Sequence, residues 1–68
     1  MKKQRGDLYT INRMICGYNE GTVVRVYETQ SSNLITCIVL DKDLKSKGEF
    51  LYPCDADLIK YEEINHDG

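Results

Sequence analysis

Apolar and polar positions fall into short blocks separated by polar, glycine-bearing breaks, the spacing of a protein built from short strands. The clearest block is Gly21-Thr22-Val23-Val24-Arg25-Val26-Tyr27-Glu28, dense in β-branched and aromatic residues. Asn19-Glu20 precedes it and Gln30-Ser31-Ser32-Asn33 follows it. The next block, Leu34-Ile35-Thr36-Cys37-Ile38-Val39-Leu40, is almost continuously apolar, which predicts a strand covered on both faces by a sheet that curls back on itself. Together the two read as a hairpin with a polar connection too long for a two-residue turn.

Asp41-Lys42-Asp43-Leu44-Lys45-Ser46-Lys47-Gly48 then breaks the pattern and is predicted to be a charged loop, with Leu44 turned inward and Gly48 in a left-handed or bulged backbone. A strand over Glu49-Phe50-Leu51-Tyr52 is stopped by Pro53, which has no amide to donate. Asp55-Ala56-Asp57 fits a turn or one helical turn opened by an Asx cap, and Leu58 to Glu62 a short closing strand. Asp7 to Cys16 matches two templates. Leu8, Ile11 and Ile15 suit a short helix capped by Asp7 and ended by Gly17, whereas Tyr9-Thr10-Ile11 favours extended structure. Strand is the preferred reading, and the expectation is a five-stranded all-β domain with one short helical turn over residues 6–64. Residues 1–5 are expected to be a disordered basic leader and 65–68 a disordered tail.

Composition narrows this further. With 68 residues there is room for one core, and 41% apolar content is too high for intrinsic disorder. Cys16, Cys37 and Cys54 are odd in number and form no CxxC pair, so reduced thiols in a cytoplasmic protein are expected, without disulfide, metal or other cofactor. No apolar segment follows the basic start as in a signal peptide, and Cys37 to Leu40 is far too short to cross a bilayer.

Catalytic chemistry finds little material. His66, the one histidine, lies in the expected tail, so no nucleophile–base pair can be assembled around it. Asp41 with Asp43, and Asp55 with Asp57, lack the glycine and glutamate spacing of a calcium loop and are read as turn-capping groups. The chain is read as a non-enzyme.

Gly6-Asp7-Leu8-Tyr9, Gly21-Thr22-Val23-Val24-Arg25-Val26 and Tyr52-Pro53-Cys54-Asp55-Ala56-Asp57-Leu58, in this order, resemble the first strand, the glycine-led second strand and the final turn of small SH3-like barrels of KOW type. The resemblance covers residues 6 to 63, and the long segment after Leu40 departs from the most compact members. It implies a five-stranded SH3-like barrel that binds peptide, protein, RNA or DNA, and an origin among bacteria, their phages or mobile elements. Two functional expectations follow. A protein-interaction module, for which self-association as a homo-oligomer is one remedy for its small core, would dock through Tyr18, Tyr27, Tyr52 and an exposed strand edge. A nucleic-acid-binding module would use Arg13, Arg25, Lys42, Lys45 and Lys47 on phosphates, provided they share one face. The net charge of −2 and pI near 5.2 favour the protein partner.

Overall fold

The computed structural model describes residues 3–29 and 34–62. Five antiparallel strands form one sheet: β1 (Leu8–Ile11), β2 (Val23–Thr29), β3 (Ile35–Leu40), β4 (Ser46–Leu51) and β5 (Leu58–Lys60), with a single 3-10 turn, Asp55–Asp57, before β5. The strand order is β4-β3-β2-β1-β5. A closed barrel would need β4 to pair with β5, and no such pairing exists among the described residues. The chain leaves the sheet at Pro53, crosses the 3-10 turn and returns on the far side of β1, so the two outer strands both remain edges.

Asp7 to Cys16 is strand where Tyr9-Thr10-Ile11 prefers it, and the helical alternative is not adopted. Pairing on both sides decides this, because Thr10 stands opposite Val23 of β2 and Ile59 of β5. Ile15 and Tyr18 then form a two-residue hairpin of their own, exchanging N–H···O bonds of 3.0 and 2.9 Å. Its central residues, Cys16 at φ 50 and Gly17 at φ 88, take the left-handed backbone that such a turn demands. Gly17 therefore serves a turn rather than a helix end.

The predicted loop from Asp41 to Gly48 is half strand. Asp41 folds it tightly: its Oδ1 accepts the N–H groups of Asp43 (2.8 Å) and Lys45 (3.0 Å), and its carbonyl accepts that of Leu44 (2.9 Å). β4 can therefore start at Ser46, three residues before the predicted Glu49. Leu44 is half-buried at φ 65, and Gly48 at φ 76 occupies the irregularity where β4 slips against β3 between Ile38 and Leu40, the bulged position expected of it. The helical turn is also present, but Cys54 holds its cap position in place of Asp55, donating its backbone N–H to Asp57 Oδ2 at 3.0 Å.

Inward positions of the strands meet in one buried cluster: Ile11, Val24, Val26, Ile35, Cys37, Val39, Leu51 and Leu58, with Tyr9, Ile15 and Tyr18 packed against it. Five of the six residues of β3 are buried, as its apolar run predicts. Of the leader, Lys3 to Arg5 are described. Lys3 Nζ reaches Asp55 Oδ1 at 2.6 Å and lies 5.0 Å from the Tyr9 ring centre, tying the start of the chain to the 3-10 turn. The hairpin tip at 30–33 and the tail at 65–68 lie outside the described residues.

Candidate functional site

Opposite residues of paired strands share a face of the sheet, so register sorts the side chains into two sets. On one face Val24 stands between Tyr9 and Val39, all directed to the core. On the other, a row crosses four strands: Leu8 opposite Arg25, Arg25 opposite Ile38, Ile38 opposite Phe50. A second row beside it runs Ile59, Thr10, Val23. This outer face is largely apolar and only partly covered: Leu8, Val23 and Ile38 are half-buried, whereas Phe50 is 47% exposed, Ile59 53% and Tyr52, two residues beyond Phe50, 60%.

A register slip between Val26 and Glu28 places Tyr27 in a bulge of β2. From there its ring meets Phe50 edge-on, with centres 5.7 Å apart and planes at 70°, a favoured aromatic geometry. The Arg5 guanidinium lies 4.9 Å from the Tyr27 ring centre. Tyr27, Phe50, Arg5 and Arg25 thus gather on the outer side of the sheet, next to an open groove bordered by Lys3, Gln4, Glu28 and Thr29.

The strand edge expected to assist docking is poorly suited to it. β4 carries the charged Lys47 and Glu49 around a positive-φ glycine inside its bulge, and β5 is three residues long. Both are devices that discourage a further strand from pairing.

The three tyrosines expected to bind protein lie apart. Tyr27 belongs to the aromatic pair and Tyr52 is exposed beyond β4, but Tyr18 packs on the core and lines a separate groove with Gly21, Val23, Lys42 and Lys47 at the end of the sheet. There Lys47 Nζ is 5.5 Å from the Tyr18 ring centre. The cations expected on phosphates are divided likewise. Lys42, Lys45 and Lys47 belong to the β3–β4 hairpin, Arg25 to the apolar row, and Arg13 to an ion pair with Asp57.

That ion pair is bidentate, Nε to Oδ1 at 2.9 Å and Nη2 to Oδ2 at 3.1 Å. The guanidinium and the Cys54 N–H hold the Asp57 carboxyl below its usual range, and the same contact raises Arg13. Asp41 is lowered too, chiefly by the N–H of Lys45. A depressed carboxyl stabilises the fold above its unfolded pKa and loses that contribution as pH falls through its folded pKa. Wild-type melting temperature should therefore fall below about pH 4. Asp57→Asn should melt lower at pH 7 and decline less steeply on acidification, as followed by circular dichroism; identical slopes would show that the pair contributes nothing.

Cys37 is buried in the core, and burial pushes its thiol up to about 11. Cys16 and Cys54 are exposed. Iodoacetamide at pH 7.5 should add two labels to the native protein and a third only in denaturant, counted by intact mass. No group of three or more Cys, His, Asp or Glu side chains stands close enough to hold a metal ion among the described residues. No helix there is long and apolar enough to cross a membrane.

No family model matches the chain, and no curated protein or solved structure matches it. Function must therefore be read from the surface itself. Sequence reasoning had Tyr27 and Arg25 as candidates but did not join them to Phe50, Ile38, Leu8 and Arg5. Their signal was the outward phase of each strand, which becomes readable once pairing register is known.

Proposed function

We propose that the protein is a non-catalytic interaction module that binds a protein partner through the outer face of its sheet, with Tyr27 and Phe50 as anchors. The supporting observation is the exposed aromatic pair set beside the row Leu8, Arg25, Ile38, Phe50. A solvated sheet face ordinarily carries polar outward residues, whereas this one carries aliphatic and aromatic side chains, the composition of an interface centre. Aliphatic side chains offer phosphates nothing, and Arg13, Lys42, Lys45 and Lys47 lie away from this face, which weighs against nucleic acid as its ligand. The KOW-like, SH3-like reading and a cytoplasmic setting belong to the same proposal.

A second reading has its own observation. Tyr18, Lys42 and Lys47 border one groove, pairing a stackable ring with two cations as single-stranded nucleic acid requires. Affinity capture from lysate of the source cells, with and without nuclease, separates the two. Protein binding by the outer face predicts a dominant protein that survives nuclease and is lost with Phe50→Ser. Recovery that vanishes with nuclease and survives Phe50→Ser would replace it with the second reading.

A further inference from the structure

Arg25 is the one charged residue in the row Leu8, Arg25, Ile38, Phe50, and its cross-strand neighbours on both sides are apolar. A sheet arginine is stabilised when an acidic residue stands opposite it. No carboxylate lies within ion-pair distance of Arg25 or of Arg5 among the described residues, although the chain has 11 acidic residues against 9 basic ones. Acidic residues do stand close by, Asp7 before Leu8, Glu49 before Phe50, and Glu28 opposite Thr36 beside the groove that Arg5 also lines, yet none is paired with either arginine among the described residues. The outer face thus combines an apolar surface with two guanidiniums that no carboxylate pairs among the described residues.

We propose that the occupant of this face is an acidic, amphipathic segment of a protein partner, its apolar side chains seated on Tyr27, Phe50 and Ile38 and its carboxylates on Arg25 and Arg5. This rests on the outer-face reading above and adds the partner's chemistry. Arginine is suited to the role because its planar group can accept a carboxylate through two parallel hydrogen bonds while its stem lies on apolar neighbours. A second copy of the chain fits less well, since two-fold packing centred on this row would set Arg25 against Arg25.

The test uses two synthetic 16-residue helical peptides with the same Leu/Phe stripe, one with Glu and the other with Lys at every charged position. They are titrated into the 15N-labelled full chain at 50 mM salt. The Glu peptide should bind at least about tenfold more tightly, move the amides of Arg25, Tyr27, Ile38 and Phe50, and weaken as salt rises. Arg25→Glu should reverse the preference, and Arg25→Gln should reduce it severalfold while keeping the native spectrum. Equal binding of both peptides at these amides would overturn the charge assignment and leave the outer-face reading standing. Shifts confined to the Tyr18–Lys47 groove, or no binding of either peptide at 1 mM, would overturn the occupant and count against the face. Concentration-dependent shifts of the same amides without peptide would put a second copy there, and tighter binding of a dT oligonucleotide at them would put nucleic acid there; either overturns the proposal.

Discussion

Leu51→Ala is expected to leave the chain mostly unfolded at 37 °C. Leu51 is 1% exposed, stands opposite Cys37 and belongs to the single cluster that joins all five strands. Removing a buried leucine side chain costs about 2–5 kcal/mol, through lost transfer energy and the cavity left behind. A core in a chain of this length seldom supplies more than about 3–5 kcal/mol in total. The loss therefore consumes most of the stability. Far-ultraviolet circular dichroism and a urea titration would measure it, and a variant melting within a few degrees of wild type would show that the cluster is more tolerant than its burial implies.

Phe50→Ser, one residue earlier on the same strand, is expected to do the reverse. Phe50 is 47% exposed and pairs edge-on with the ring of Tyr27, so the fold loses about 0.5–1.5 kcal/mol of aromatic pairing and a limited area of burial. The melting temperature should drop by about 4–8 °C for each kcal/mol lost. Binding should suffer far more. Truncating an aromatic anchor at the centre of an interface typically costs at least about 2 kcal/mol, which is about thirtyfold in Kd. Calorimetry with the captured partner would read this directly. A Kd within threefold of wild type, in a variant with a native spectrum, would move the interface away from Tyr27 and Phe50. Neighbouring residues with opposite consequences follow from the period of a strand, which sends successive side chains to opposite faces.

The edges bear on the same question. A module that recruits its partner by adding a strand needs a straight edge with free backbone groups. β4 has a bulge at Gly48 flanked by Lys47 and Glu49, and β5 is short. Both edges are poorly suited to strand addition, which supports the proposal that a partner is bound by the face.

Local chemistry was legible in the sequence wherever one short stretch decided the outcome. Val23 to Tyr27 and Ile35 to Leu40 are strands because β-branched residues and an unbroken apolar run suit a pleated sheet, and Pro53 ends the preceding strand because it cannot donate a ladder bond. Asp41 organises its turn and Asp57 its cap through carboxylates that accept nearby N–H groups, an interaction spanning a few residues. Tertiary structure decided everything that depends on pairing. Leu8 to Ile11 is extended because β2 and β5 flank it, and Ser46 to Gly48 joins β4 because the Asp41 turn brings it beside β3. Arg25 and Tyr27 were visible as candidates, yet which residues accompany them depends on register, and a shift of one position would have sent each to the opposite face. Arg13, read from the sequence as a phosphate ligand, meets its partner Asp57 only through the fold, since the two are distant in sequence. The sequence by itself thus determined the strands and turns of an all-β protein. The open sheet and the apolar, arginine-bearing outer face came from long-range pairing, which links residues that no local pattern connects.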